Sequence, residues 1–167
     1  MTEPIDAIIL AGDRKGSRDV AGKSKLFLEI AGKPLLMYVI EALDKVERVQ
    51  RIVIIGPSDP IRGLVLAWGS RLSLNTSIDV LEQRDTAYQN FWGAFVHTLD
   101  HYEAGQEKHD QALLEKPVLV VPADIPLITV EEVDEFLDGA TRLPLDYGCL
   151  LYTSPSPRDL LSQLVCR

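Results

Sequence analysis

At 167 residues the chain is the size of one ordinary domain, long enough to bury a single core. With 46% apolar and 25% charged residues it has the balance of a soluble globular protein, which excludes a disordered or fibrous chain. A net charge of −8 excludes a generic nucleic-acid or anionic-membrane surface, but not a small phosphate-bearing substrate held by a few local cations.

No apolar run reaches the roughly 18–20 residues of a membrane span. The N-terminus carries Glu3 and Asp6 where a secretory signal would carry Lys or Arg, so a cytoplasmic protein is expected. Residues 5–11 (IDAIILA) form a continuous apolar run ending at Gly12, the pattern of a strand covered on both faces. After a polar loop, residues 26–30 read as a short extended piece that stops at Gly32. Pro34 then opens a helix as its first residue, with Leu35, Leu36, Val39, Ile40 and Leu43 on one face.

Residues 51–56 (RIVIIG) form a second buried strand, and Asp59-Pro60 starts a short helix expected to end before Gly69. Residues 78–81 make a modest strand. Thr86 and Gln89 stand at capping-box spacing before a helix whose Phe91, Trp92 and Phe95 read as a core stripe. His97 and His101 on that helix lack a third metal ligand and read as solvated. A polar surface loop over 103–115 precedes a third buried strand, 117–121 (PVLVV), which runs into Pro122-Ala123-Asp124. Thr129 and Glu132 form a second capping box, for a helix ending at Gly139. Strands alternating with helices predict an α/β fold, a mostly parallel sheet with helices on both faces.

From 149 the sequence changes character. CLLYTSPSPRD resembles, residue for residue, one reading frame of a sequencing-library adapter. The expected domain is therefore residues 1–148, the N-terminal part of a longer protein, with 149–167 a non-native tail. Both cysteines, Cys149 and Cys166, fall in that tail, which removes any disulfide or cysteine-metal argument from the remainder.

Three features carry chemistry. The turn Leu10-Ala11-Gly12 leaves the first strand where ligands sit in parallel sheets, and Gly12 would let backbone approach a phosphate; a purely geometric turn has the same appearance. Arg14, Lys15, Arg18, Lys23, Lys25 and Lys33 crowd that strand's exit while acids dominate elsewhere. Gly22-Lys23-Ser24 invites a P-loop reading, but five residues separate Gly16 from Gly22 and the following segment reads as strand, not helix. Asp124 ends a buried strand, and because Thr129 already fills the next helix cap, its carboxylate is available for Mg2+ bridging substrate phosphates.

LAGDRKGSR, GKSKLFLEIAGKPLL and VPADIPLIT together resemble the signature of the MobA-like and sugar-phosphate-type nucleotidyltransferases, over about residues 5–140. Lys25 matches the signature lysine by its distance to Gly32-Lys33-Pro34-Leu35, and Arg18 matches the loop arginine. The resemblance implies the Rossmann-like nucleotide-diphospho-sugar transferase fold. It implies that Leu10, Ala11 and Gly12 hold the base and ribose, Arg18 and Lys25 the triphosphate as catalytic groups, and Asp124 the Mg2+. Glu82, Gln83 and Asn90 fall where relatives contact base or acceptor, and Gln83 is taken as nucleotide-binding.

The implied reaction moves a nucleoside monophosphate from a nucleoside triphosphate to a small phosphorylated acceptor, releasing pyrophosphate. Asp13 in place of a second glycine, Ser24 in place of a proline, and one extra loop residue depart from the pattern. A P-loop NTPase or kinase, and a non-catalytic nucleotide-binding domain, are the alternatives.

Overall fold

The apolar runs fold into buried strands because both of their faces meet helices. The structure, a computed structural model, describes residues 4–12, 25–100 and 117–140, with Lys25 and Asp100 in backbone only. In chain order these form β1 (Ile5–Leu10), a 3-10 turn (Lys25–Phe27), β2 (Glu29–Ile30), β3 (Lys33–Pro34), α1 (Leu35–Asp44) and β4 (Val49–Gly56). There follow α2 (Ser58–Leu72), β5 (Ser77–Glu82), α3 (Ala87–Asp100), β6 (Val118–Pro122) and α4 (Val130–Ala140).

The main sheet has four strands in the order β5-β4-β1-β6, and every pair is parallel. Successive strands β1, β4 and β5 step to one side of β1, and β6 returns to its other side. The order therefore reverses between β1 and β6, the point at whose carboxyl side open parallel sheets generally place a ligand crevice. Alternate residues of β1 divide the core. Ala7 and Ile9 pack with Leu36, Met37 and Ile40 of α1, Ile61 of α2 and Val133 of α4. Ile8 packs on the other face with Val53, Ile55 and Ala94, Phe95 and Leu99 of α3. Helices cover both faces, as the alternation predicts.

Asp6 shares α3's face and is fully buried. Its carboxylate accepts from Arg51 Nη2 at 2.6 Å, across the register pair that β1 and β4 make, and the same nitrogen donates to the Thr98 carbonyl at 2.9 Å. A buried charge needs such pairing, so this contact fastens α3 to two strands at once.

Several boundaries differ from the sequence expectation. Residues 26–30 are not one extended piece: Leu26 sits in a 3-10 turn with its side chain in the core, and only Glu29–Ile30 is strand. Ala31 and Gly32 both take positive φ, 51° and 76°, the conformation that a tight two-residue hairpin demands. Pro34 is the cap of α1, not its first residue, and Leu35 N–H is satisfied by the Leu28 carbonyl at 2.9 Å. α2 runs through Gly69 to Leu72 and stops at Ser73, which takes φ 52°. Both capping boxes form as expected: Gln89 N–H donates to Thr86 Oγ1 at 3.1 Å and Glu132 N–H to Thr129 Oγ1 at 3.2 Å, each reciprocated by the glutamine or glutamate side chain.

Candidate functional site

The ends of β1 and β6 supply the floor. Ala11 N–H donates to the Ile55 carbonyl at 2.8 Å, and Ala123 N–H donates to the Leu10 carbonyl at 3.2 Å. The Leu10-Ala11-Gly12 turn is thus tied to β4 on one side and to the β6 exit on the other. Because Leu10 pairs with Pro122 and its carbonyl accepts from Ala123, the segment that bears Asp124 leaves the sheet beside the turn that leads to Gly12. Two segments more than a hundred positions apart in sequence meet there.

The wall comes from the β5 exit and α3. Gln83 N–H donates to the Gly56 carbonyl at 2.9 Å, and the Arg84 N–H donates to Asn90 Oδ1 at 2.5 Å. Asn90 is only 7% exposed, being held in the first turn of α3. A Cβ on Gly12 would lie 3.0 Å from Asn90 Nδ2 and 3.8 Å from Gln83 Oε1, so glycine lets the turn approach both amides. With Oδ1 engaged, the Asn90 NH2 group is the donor left facing Gly12. The structure thus brings the Leu10-Ala11-Gly12 turn beside Gln83 and Asn90.

Lys25 begins the 3-10 turn, and the burial of Leu26 beside it anchors this end of the loop; its side chain lies outside the described residues. Arg18, Asp13, Lys23 and the Gly22-Lys23-Ser24 motif also lie outside the described residues. The segment after that motif is a 3-10 turn and a hairpin, not the helix that a P-loop requires. Lys33 has its own partners on α1. It pairs with Glu41 and sits 4.2 Å from the Tyr38 ring centroid, fastening the hairpin to α1. Lys33 and Lys45 hold the Glu41 carboxyl below the usual carboxylate range.

Glu82 has a structural role. Its Oε2 accepts from Ser58 Oγ at 2.6 Å and from Ser58 N–H at 3.0 Å, capping α2 from a neighbouring strand. These two bonds push the Glu82 carboxyl below its ordinary value. Asp59, expected as the α2 cap, lies inside the helix with its carboxylate exposed. His97 Nε2 lies 3.1 Å from Asp79 Oδ2 on β5, and His101 is outside the described residues. Of the aromatic stripe, Phe95 is buried and stacks on Phe91, but Trp92 is 45% exposed because its side of α3 has turned away from the sheet.

Asp124 is exposed and makes no hydrogen bond or ion pair among the described residues. One free carboxylate at a sheet's mouth suits Mg2+, which keeps waters and takes most of its remaining ligands from substrate phosphates. Among the described residues no group of three acidic, His or Cys side chains could hold a metal without such help. Sequence reasoning missed Gly56 altogether. A Cβ there would lie 2.5 Å from the Ala11 carbonyl oxygen, and its only sequence signal is a glycine closing a buried strand.

Comparison with known proteins agrees with this geometry. The sequence matches the family model of the MobA-like NTP transferase domain over residues 7–156. A 55-residue stretch is 40% identical to the 2-C-methyl-D-erythritol 4-phosphate cytidylyltransferase of Clostridium perfringens, covering 33% of this chain and 24% of that protein. Over 63 residues the chain is 32% identical to the enzyme of the same name from Endomicrobium trichonymphae, covering 38% and 29%.

Among solved structures, the 4-diphosphocytidyl-2C-methyl-D-erythritol synthase of Anaerococcus prevotii DSM 20548 superposes with a TM-score of 0.58 at 14% identity, covering 85% of this chain and 53% of that one. A CMP:2-keto-3-deoxy-manno-octonic acid synthetase complexed with CTP superposes with a TM-score of 0.53 at 21% identity, covering 83% and 48%. The chain thus spans about half the length of these solved relatives, and the likeness establishes the nucleotide-diphospho-sugar transferase fold.

Proposed function

Because the chain belongs to the family of MobA-like NTP transferase domains, we propose that its crevice binds a nucleoside triphosphate for transfer of the nucleoside monophosphate to a small phosphorylated acceptor. An acceptor phosphate oxygen attacks the α-phosphorus in line; the new P–O bond forms as the bond to the β-phosphate breaks, and pyrophosphate leaves. The observation that carries this reading is the meeting of the Leu10–Gly12 turn with the β6 exit, one residue before Asp124, at the strand-order reversal, with Gln83 and Asn90 alongside. The Leu10–Gly12 backbone and the two amides hold the base and ribose.

Arg18 and Lys25 neutralise the triphosphate; both follow the Leu10–Gly12 turn in sequence, and Lys25 opens the 3-10 turn. Asp124 would hold Mg2+, which when bound offsets phosphate charge and orients the triphosphate. No helix among the described residues is long and apolar enough to cross a membrane. A cytoplasmic setting, where nucleoside triphosphates are plentiful, belongs to the same reading. The curated relatives are cytidylyltransferases, so CTP is the triphosphate to try first.

The test is thermal unfolding of the chain with each common nucleoside triphosphate, with and without Mg2+. One triphosphate should raise Tm in a Mg2+-dependent way, and Lys25→Ala should abolish the shift while Lys23→Ala retains most of it. Absence of a shift with all of them overturns the proposal. Asp13, an acid beside the expected phosphates, favours a second reading: a nucleotide-binding domain without transferase activity. That reading expects the same protection with no pyrophosphate release from the full-length gene product when acceptor is supplied.

A further inference from the structure

Every element of the crevice described above hangs on the Leu10-Ala11-Gly12 turn, and what seats that turn is a missing side chain on another strand. Gly56 is the last residue of β4. A Cβ built on it would lie 2.5 Å from the Ala11 carbonyl oxygen, 3.0 Å from the Ala11 carbonyl carbon and 2.7 Å from Ile61 Cδ1. Carbon does not approach a carbonyl oxygen at 2.5 Å, and Ala11 is backbone, so it cannot swing aside as a flexible side chain would. Ile61, by contrast, is a side-chain tip whose terminal carbon can be removed. The two obstacles are therefore separable.

The Ala11 position is not slack. Its N–H is bonded to the Ile55 carbonyl at 2.8 Å, and the Gly56 carbonyl accepts from Gln83 N–H at 2.9 Å. One glycine thus contacts the turn above it and holds the neighbouring loop that carries Gln83 and Arg84. Displacing Ala11 outward would move Gly12 relative to Asn90 Nδ2 and Gln83 Oε1, where a hypothetical Cβ on Gly12 already comes to within 3.0 Å and 3.8 Å. Gly56 touches no expected ligand position itself; its effect passes through Ala11.

We propose that Gly56 is a positioning residue of the nucleotide crevice, whose bare Cα admits the Ala11 carbonyl and so sets the spacing between the Gly12 turn and the Gln83–Asn90 wall. The inference rests on the function proposed above only for its ligand readout. Gly56→Ala both crowds Ile61 and lifts Ala11; Ile61→Val removes the Cδ1 atom and relieves the first effect alone.

The experiment compares wild type, Gly56→Ala, Ile61→Val and Gly56→Ala/Ile61→Val in the whole chain. It reads Tm, CTP–Mg2+ affinity by calorimetry, and the Ala11 and Ala123 amide resonances with their hydrogen exchange. Gly56→Ala should lower affinity at least tenfold, and Ile61→Val should leave it within twofold. The double variant should recover Tm toward that of Ile61→Val while its affinity stays at least tenfold weak and the Ala11 and Ala123 amides stay shifted and less protected. Restoration of affinity and of both amides in the double variant overturns the proposal, because Gly56 would then serve only Ile61 packing. If wild type binds no nucleoside triphosphate, the function proposal fails by itself, and the amide readout still decides for or against Gly56.

Discussion

Replacing Asp6 by Asn keeps the shape of the side chain and removes its charge, leaving the Arg51 guanidinium buried with only the Thr98 carbonyl and a neutral amide oxygen to solvate it. Arg51 is 9% exposed, Asp6 is fully buried, and Arg51 Nε already has no hydrogen-bond partner, so little water can reach the stranded cation. Breaking a buried pair in this way costs about 3–5 kcal/mol. A domain has roughly 5–15 kcal/mol in total, so about a fifth or more of the stability would go. In a chain of this size that lowers Tm by roughly 6–20 °C. The assay is urea unfolding followed by tryptophan fluorescence, which Trp68 and Trp92 make possible, repeated in high salt.

The loss should persist in salt because buried pairs are poorly screened. Asp6→Val/Arg51→Met should cost much less than the sum of the two single variants, about 1–3 kcal/mol, the remaining cost including the partners lost by Gln50 Nε2, which donates to Asp6 Oδ1, and by the Thr98 carbonyl. An Asp6→Asn cost under about 1 kcal/mol, or a double variant equal to the sum, would refute the claim that this pair fastens α3 to the sheet.

Glu82 has a carboxyl pKa held below its ordinary 4.5, so its contribution is fully present above that value and is lost as pH falls through the lower folded value. The Tm gap between wild type and Glu82→Gln should accordingly be constant near neutral pH and close in acid; a gap that is independent of pH would remove the charged cap of α2. Thr129→Ala should cost about 1 kcal/mol in urea unfolding, and adding Glu132→Ala should cost less than its single effect, since the two side chains cap α4 reciprocally. Full additivity would show that the capping box does not act as a unit.

The crevice is rigid where strands end and depends on longer-range fits where they do not. Ala11, Gly56, Gln83 and Ala123 are joined by backbone hydrogen bonds across the mouths of adjacent strands. Asn90 adds a side chain from α3 to that line, held by the Arg84 N–H. Arg84 in turn lays its guanidinium against Gly93, where a Cβ would lie 3.2 Å from Nε, so the loop bearing Gln83 is pinned at both its backbone and its side chain. Such support is what keeps hydrogen-bond donors aimed at a ligand before it arrives.

How much of this was legible in the sequence depends on how local the cause is. The apolar runs at Ile8–Ile9 and Val53–Ile55, the boxes at Thr86 and Thr129, and Asp124 at the end of a strand are set by neighbours within a few positions, and pattern alone finds them. The tertiary structure decided the rest. Asp6 gave no sign of its partner Arg51, because that pairing is fixed by the β1–β4 register. Glu82 caps α2, which no local pattern announces, because α2 begins beside the exit of β5. Lys33 pairs with Glu41, and Trp92 left the core for solvent, through rotations that periodicity does not resolve. Alternation of strands and helices foretold a parallel sheet, but only strand order could place the reversal between β1 and β6, and so bring the Leu10–Gly12 turn beside the β6 exit that leads to Asp124.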